Sequence, residues 1–356
     1  MKNMTTDRNN RQVARWLLVG VAMIIIQVLI GGITRLTESG LSITEWEPFK
    51  GALPPLNHTD WQIQFDKYKA TDQYKYIHQH FSLSQFKFIF FWEWFHRVWA
   101  RLLGIVFLIG FVYFLAKKKF SRGMIFPMVV LFVLGALQGL IGWLMVASGL
   151  VPEKYYVGHV ELTTHLVAAV ILLAYTAWFA FSLLPAFKTK VEQKNIRPYV
   201  GFISLLLFFQ LIYGGFMAGL KAAASAPTWP SINGSFLPPV MNEMSPWSSN
   251  LVNNPIMVHF IHRGLGYLLL IFVILFFFES RKIIHHKLFS RASALLLLLF
   301  IAQVMLGIAT VLFATDKIAL VWLGVSHQFV AILIVICLAA LIFLTRKEKR
   351  AWVPQA

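Results

Sequence analysis

Eight long apolar runs dominate this sequence of 356 residues. Each run is close to the length of about 20 residues that an α-helix needs to cross the hydrocarbon core of a bilayer. Only 13% of the residues are charged, compared with about 25% in an ordinary soluble domain. We therefore predict an all-α membrane protein whose eight spanning helices lie near residues 14–35, 92–116, 124–148, 158–185, 198–220, 256–279, 291–314 and 318–344.

The basic residues are concentrated in alternate connections between these runs. The chain carries 32 Lys and Arg against 15 Asp and Glu, which gives a net charge of +17. Most of these cations lie in the N-terminal segment, the loops near 117–122, 188–197 and 281–291, and the C-terminal segment. By the positive-inside rule, both termini are predicted to be cytoplasmic, in a cell inner membrane or in the mitochondrial inner membrane if the protein is organellar. The charge thus reports orientation, and no nucleic-acid partner is expected.

Two further features narrow the class of protein. The first apolar run is longer than the hydrophobic region of a signal peptide, and no Ala-x-Ala-like site follows it, so we predict a retained helix. Cys337 is the only cysteine and lies in the last run. An intramolecular disulfide and a cysteine-based metal site are therefore excluded.

The sequence repeats itself between its two halves. The matching pairs are Gln27-x-x-x-Gly31-Gly32 with Gln210-x-x-x-Gly214-Gly215, Trp46 with Trp229, Pro54-Pro55 with Pro238-Pro239, His96-Arg97 with His262-Arg263, Gln138-x-x-x-Gly142 with Gln303-x-x-x-Gly307, and His165 with His327. Since each half has four helices, both halves cross the membrane in the same direction. We predict two tandem four-helix bundles, residues 1–190 and 191–356, related by a pseudo-two-fold axis along the membrane normal.

Two long connections lie on the predicted outer side, at about 36–91 and 221–255. Loops of this length are uncommon unless they have a function. The first contains a mixed-charge stretch, 60–80, with helical potential. Its composition is equally compatible with a lid over an outward-facing pocket and with a solvated loop.

Four histidines lie inside even-numbered spans, about 7–14 Å from the outer end at 1.5 Å per residue. They are His96, His165, His262 and His327. An ionisable side chain within a span is costly and is by default a functional hypothesis. Paired imidazoles on facing helices suit haem iron, whereas zinc, iron–sulfur and dinuclear sites need the thiolates or clustered carboxylates that this chain lacks. By contrast, five histidines are predicted to be solvated in loops: His58, His78, His80, His285 and His286.

Arginine and glycine residues flank the intramembrane histidines. Arg97 and Arg263 follow His96 and His262 directly, and each could pair with a haem propionate or extend to the membrane interface. The glycine pairs at 31–32 and 214–215 suit either a flat macrocycle against the helix backbone or close helix packing.

The two halves differ at one position with chemical consequences. The second half reads His259-x-x-His262-Arg263, whereas the first reads Glu93-x-x-His96-Arg97. Residues three apart share a helix face, so Glu93 is predicted to lie beside whatever His96 binds, as a proton acceptor or charge stabiliser. A structural ion pair with Arg97 is the alternative. We expect one site for a resident cofactor and one for a reacting molecule.

The residues resemble the signature of haem A synthases. The resemblance rests on Gly31-Gly32-x-Thr34-Arg35-Leu36-Thr37-x-Ser39-Gly40-Leu41-Ser42 with Trp46 and Pro54-Pro55, and on Glu93-x-x-His96-Arg97, His165, His259-x-x-His262-Arg263 and His327. It covers the chain from about Arg11 to Arg346. The long first loop is similar to the proteobacterial and mitochondrial branch. The cysteine pair that some members carry in an outer loop is absent here.

The resemblance implies that the protein oxidises the C8 methyl group of haem O to a formyl group, with water as the oxygen source, and so makes haem A for cytochrome oxidase. It implies a resident haem B on His262 and His327 and a substrate haem between His96 and His165, with Glu93 as the catalytic carboxylate. It also implies haem O synthase as a partner. The electron acceptor is unknown, and a homo-oligomer in the bilayer is compatible with the sequence.

Two other classes of protein fit part of the pattern. A non-enzymatic di-haem b-type electron-transfer subunit would hold two permanent haems in the same two sites. A transporter would share the internal repeat, but its polar residues would lie near the membrane midplane and its helices would be broken there. Here the four histidines lie at one outer depth, which disfavours transport.

Overall fold

The computed structural model describes residues 2–45, 50–283 and 285–346, and within them it contains eight long helices that are apolar enough to cross a membrane. These residues form no strand beyond one isolated bridge. The all-α class and the eight spans are therefore confirmed. The helices are α1 (Lys2–Leu36), α2 (Leu83–Ala116), α3 (Arg122–Gly149), α4 (His159–Leu183), α5 (Ile196–Gly219), α6 (Pro255–Ser280), α7 (Lys287–Leu312) and α8 (Lys317–Thr345).

Most helix ends agree with the sequence-based spans, but α1 and α2 begin earlier than expected. Helix α2 begins at Leu83 rather than near residue 92, because Ser82 and Gln85 form a capping box there. The Ser82 N–H donates to the Gln85 side chain over 2.9 Å. Hydropathy marks only the segment that suits lipid, whereas a helix continues until its backbone is capped. The first long connection is correspondingly shorter than predicted.

This first connection folds into a packed layer over the end of α2. It contains the helices His58–Lys69 and Asp72–Tyr76, so the helical potential expected in the mixed-charge stretch is confirmed. The aromatic rings of Phe65, Tyr68 and Phe86 pack together and are almost fully buried. Trp46, which the repeat matches to Trp229, lies outside the described residues.

The helices of the two halves pair in the same way, with one exception. In the first half α1 packs on α2 and on α4, and α3 packs on α4; in the second half α5 packs on α6 and on α8, and α7 packs on α8. The halves meet through α1, α4, α5 and α8. The exception is that α6 packs closely along α7, whereas α2 and α3 do not pack closely together. The domain boundaries and the pseudo-two-fold axis stay predictions.

The second glycine of each pair permits close packing between the halves. A Cβ atom on Gly32 would collide with the Gln328 side chain of α8, and one on Gly215 would collide with Thr163 of α4. Small residues let helix backbones approach closely in this way. We call the end of the bundle that carries the two long connections the loop face.

Candidate functional site

Two histidines of the second half face each other between α6 and α8. The ring centroids of His262 and His327 lie 6.5 Å apart at an interplanar angle of 67°. Two imidazole–metal bonds of about 2 Å each would place one metal ion between rings at this separation. Both side chains are partly buried and line the same cavity.

Each of these rings lies in a cradle made by a neighbouring helix. A Cβ atom on Gly214 would lie 3.3 Å from Cε1 of His262, and one on Gly307 would lie 3.1 Å from Cε1 of His327. One turn away on the same helix faces, Gln210 Nε2 lies 3.3 Å from Nε2 of His262. Gln303 Nε2 lies 3.0 Å from Nε2 of His327. Glycine thus leaves room for the ring, and glutamine contacts its nitrogen.

The first half builds the same cradle twice. The position of a Cβ atom on Gly31 is 3.0 Å from Cε1 of His96, and Gln27 Nε2 lies 3.1 Å from both ring nitrogens. The Cβ position of Gly142 is 2.8 Å from Cε1 of His165. Gln138 Nε2 lies 3.3 Å from Nδ1 of His165. All four intramembrane histidines are therefore held by a Gln-x-x-x-Gly segment, whose two residues share one helix face.

Buried polar atoms without partners surround the histidines. Within the described part of the chain, the Oε1 atoms of all four cradle glutamines and Nδ1 of His262 and His327 have no hydrogen-bond partner. An amide or imidazole ring can be turned over without changing its shape, so glutamine Oε1 can accept from an imidazole N–H once the other ring nitrogen binds a metal. These unpaired atoms fit a histidine-ligated group. In residues 2–45, 50–283 and 285–346, no three His, Cys, Asp or Glu side chains form a metal cluster.

One large cavity joins these residues. Its volume is about 1960 Å³, and its lining includes all four histidines. Ordinary ligand pockets reach about 1,000 Å³, so this cavity can hold two large ligands. Residues of the first connection, among them Thr44 and Phe81, close part of it at the loop face. Of the two functions considered for this connection, the structure favours the lid.

Glu93 is buried in the cavity wall, one turn from His96 on α2. Only 3% of the residue is exposed. Its Oε1 accepts from Arg97 Nη2 over 2.6 Å, and its Oε2 accepts from Ser42 Oγ over 2.7 Å and from the Ile43 N–H over 2.9 Å. Three donors therefore fix the carboxylate in position. The predicted ion pair with Arg97 is present, and it does not remove Glu93 from the cavity lining.

The corresponding pair in the second half is His259 and Arg263. Arg263 Nε donates to His259 Nε2 over 2.9 Å, and His259 is fully buried. Arg263 also donates to the carbonyls of Pro230 and Ser231. Arg97 likewise donates to the carbonyls of Ile43 and Glu45. Both arginines therefore bind the connection that follows α1 or α5, and both line the cavity.

A further cluster ties the two halves together at the loop face. Glu38 and Lys221 occupy matching positions after α1 and α5, both in the left-handed backbone region, with φ of 58° and 52°. Lys221 donates to Glu38 Oε1, and Tyr156 donates to the same atom over 3.2 Å. His78 Nε2 lies 3.3 Å from Glu38 Oε2. The hydrogen bond with His78, helped by Lys221 and opposed by burial, lowers the pKa of Glu38 to about 2.

The prediction that His78 is solvated is wrong. Only 4% of this residue is exposed. Its Nδ1 lies 2.7 Å from the hydroxyl of Tyr68, and its ring stacks on Phe81. The connection is rich in polar residues, but in the folded protein its aromatic side chains cover the imidazole.

No role is predicted from the sequence for the glutamines of the Gln-x-x-x-Gly segments or for Ser42. The repetition of the glutamines with the same spacing before a glycine was the available signal. Ser42 lies inside the Ser39-Gly40-Leu41-Ser42 motif, but its bond to Glu93 joins residues far apart in the chain. Cys337 is buried in α8, where its Sγ lies 3.2 Å from the carbonyl oxygen of Ala292.

Comparison with known proteins identifies similar chains of about the same length. Residues 14–339 match the family model COX15-CtaA, described as cytochrome oxidase assembly protein. The chain is 37% identical to "Heme A synthase" of Brucella suis (strain ATCC 23445 / NCTC 10510) over 328 residues, which cover 92% of this chain and 90% of the relative. Identity and coverage are the same for the proteins of that name from Brucella ovis and Brucella anthropi.

Proposed function

This chain belongs to the haem A synthase family of cytochrome oxidase assembly proteins, and from that premise we propose that it oxidises the C8 methyl group of haem O to a formyl group. The substrate haem occupies the first half and a resident haem B occupies the second. One observation carries this division of labour. Four equivalent histidine cradles are present, but in the part of the chain that the structure describes only the pair in the first half has a carboxylate, Glu93, on the cavity wall one turn from a histidine.

The second half suits a permanent cofactor. His262 and His327 would hold the iron of haem B, and Gln210 and Gln303 would orient the two imidazoles from behind. When bound, haem B supplies one-electron redox chemistry. His259 and Arg263 close this half against the connection that follows α5, since Arg263 holds both the imidazole and the backbone carbonyls.

The first half suits a substrate that must be positioned and then released. His96 and His165 would hold the iron of haem O and so fix the height of the macrocycle in the membrane. Arg97 holds Glu93 on one side and the lid carbonyls on the other. Two of its five N–H groups make none of these bonds and can pair with a propionate. Substrate binding and lid position are thereby coupled through one guanidinium group.

Glu93 is the proposed catalytic residue. Converting a methyl group and one water into a formyl group releases four protons and four electrons. Glu93 accepts a proton at Oε2, where the Ser42 hydroxyl can reorient, and Arg97 stabilises the carboxylate between steps. The electrons leave to an external acceptor that the chemistry requires and the residues do not identify. Water as the oxygen source belongs to this proposal.

The proposal also includes the location of the enzyme in the cell, its substrate donor and its oligomeric state. A multi-pass protein of the inner membrane with cytoplasmic termini would place the lid and both cradles towards the outer side. Haem O is made by haem O synthase, so that enzyme is the proposed donor of substrate. A homo-oligomer is compatible with the extensive apolar surface of the spanning helices.

The alternative function, electron transfer, is favoured by the similarity of the four cradles. If both halves only carried electrons, both haems would be permanent and identical. Extraction and mass identification of the haems, with haem O synthase co-expressed, separates the two functions. The proposed function predicts haem B together with haem O, a hydroxylated intermediate or haem A. Two haem B molecules per chain, unchanged when haem O is supplied, would contradict it.

A further inference from the structure

We infer that a cleft between α2 and α3 binds the prenyl side chain of the substrate haem. The inference rests on the proposed function and deepens it, because it assigns a site to the part of haem O that haem B lacks. The cleft is the region where the packing of the first half departs from that of the second. It is continuous with the cavity that contains His96 and His165.

The cleft extends from the histidine level towards the end opposite the loop face. Gly142, which cradles His165, and Gly135 both line the cavity. They are seven residues apart on α3, or about 10 Å at 1.5 Å per residue. Apolar side chains line this extension from both helices, including Leu103 and Leu108 of α2 and Leu131 of α3. An apolar chain several carbons long therefore fits along it.

Three glycines line the cleft. A Cβ atom on Gly104 of α2, or on Gly135 or Gly139 of α3, would meet no other atom within 4 Å. Glycines in spanning helices usually permit a close approach of another helix. Here no atom of another helix lies within 4 Å of the added Cβ atoms, so close helix packing does not account for these three glycines. The two helices come into contact one turn further from the loop face, where Phe107 packs on Phe132. The three glycines leave space beside the bound macrocycle instead.

The second half has filled the same space. The repeat aligns Gly104, Gly135 and Gly139 with Leu270, Phe300 and Val304. Phe300 is 3% exposed and belongs to the hydrophobic core, and α6 and α7 pack closely together. A half that holds haem B, which has no prenyl chain, needs no such space. The difference between the halves therefore follows the difference between the two haems.

The chemistry of the substrate agrees with the direction of the cleft. In haem O the prenyl group and the two propionates lie on opposite edges of the macrocycle. The arginines that can meet propionates lie at the loop face, and the cleft leads away from it. With the chain in the cleft, the macrocycle can no longer rotate in its own plane. The cleft thus selects which methyl group faces Glu93, and Gly104, Gly135 and Gly139 are specificity-determining residues.

The test compares haem O with haem B as ligands of the first half. Full-length protein carrying its resident haem is titrated with each haem, and binding is followed by difference absorbance. Gly135→Phe and Gly139→Val introduce the residues of the second half. Gly264→Val is the matched control, because Gly264 also has open space around it but lies outside the cavity lining. The resident low-spin spectrum reports that each variant is folded.

The wild type and Gly264→Val are expected to prefer haem O over haem B by about tenfold or more, as hydrophobic pockets do for added methylenes. Gly135→Phe and Gly139→Val are expected to lose this preference while they still bind haem B. If both variants convert haem O and prefer it over haem B as the wild type does, lipid fills the cleft. The inference is then wrong, although the proposed function stands. If the wild type neither binds nor converts haem O, the proposed function fails as well.

Discussion

The two halves of this protein share one way of holding a histidine and differ in what surrounds it. In both, a Gln-x-x-x-Gly segment cradles each imidazole. The first half then adds a carboxylate, a packed lid and a glycine-lined cleft, whereas the second has His259, a shorter connection and the side chains Phe300 and Val304 in place of the cleft. Both halves thus hold their histidines in equivalent cradles, and in the proposed function the residues around the cradles decide which haem stays and which one reacts.

The largest effect is expected from removing the carboxylate that the second half lacks. Glu93→Gln keeps the side-chain shape and the Ser42 contact but cannot accept a proton in the same way. General acid–base groups contribute at least about a hundredfold to rate, so haem A yield should fall by that factor or more. The resident haem should remain. Quantifying extracted haems checks both outcomes, with Glu279→Gln, a partly exposed residue at the end of α6, as the control. An active Glu93→Gln enzyme with normal haem A yield would remove Glu93 from the mechanism.

The next largest effect is expected from substituting the glycines of the histidine cradles, because each half should then lose a different haem. Alanine at Gly142 would place a Cβ atom 2.8 Å from His165, and alanine at Gly307 would place one 3.1 Å from His327. Overpacking costs about 1–3 kcal/mol, which corresponds to roughly tenfold or more in affinity. Gly142→Ala should weaken haem O binding, and Gly307→Ala should weaken retention of haem B. Haem content and difference spectra of each variant test this pairing.

Gly201→Ala in α5 is the control, because a Cβ atom there meets no other atom within 4 Å. If Gly142→Ala released the resident haem and Gly307→Ala weakened haem O binding, the assignment of the two halves would have to be exchanged.

A smaller effect concerns the ion pair that joins the halves. Because the folded-state pKa of Glu38 is lowered to about 2 from its usual value of 4.5, its contribution to stability is complete above pH 4.5. It is lost as the pH falls through 2. The melting temperature of the wild type should therefore fall more steeply than that of Glu38→Gln between these values. Thermal unfolding in detergent at a series of pH values measures the difference. Parallel curves for the two proteins would show that Glu38 does not stabilise the fold.

The smallest effect is expected on the surface of the lid. Lys67 and Glu45 form an exposed ion pair at 2.7 Å. Exposed pairs contribute about 0–1 kcal/mol, so Lys67→Ala should leave thermal stability and haem A yield almost unchanged. Tyr68→Phe, which removes the hydroxyl beside the buried His78, should have the larger effect on lid stability. The two variants can be compared by measuring the protease resistance of the first connection in each. Equal losses would indicate that the lid depends on its surface rather than on its core.

Much of the fold could be predicted from the sequence, because lipid imposes one simple rule on each span. The apolar runs gave the eight helices, and the repeat indicated which helices correspond. The early start of α2 could not be seen in the same way, since its end depends on a capping box outside the lipid-facing part. The burial of His78 depends on contacts with Tyr68 and Glu38 that only the folded connection creates.

The main residues of the candidate site could be singled out in the sequence, but the contacts around them could not. Histidines in spans are conspicuous because they are costly, and in the structure all four line one cavity. His262 and His327 also face each other. The bonds from Ser42 and Ile43 to Glu93 join segments about fifty residues apart, and no local pattern encodes them. The cleft between α2 and α3 is an absence of packing, which a single sequence does not reveal until the two halves are compared in space.

Haem analysis of two double variants tests the division of labour most directly. His96→Ala with His165→Ala removes the proposed substrate pair, and His262→Ala with His327→Ala removes the proposed cofactor pair. With haem O synthase co-expressed, the first double variant should retain haem B and contain neither haem O nor haem A. The second should lose haem B. If each double variant instead retained half of the haem B, both halves would hold the same permanent cofactor, and the proposed specialisation of the halves would be wrong.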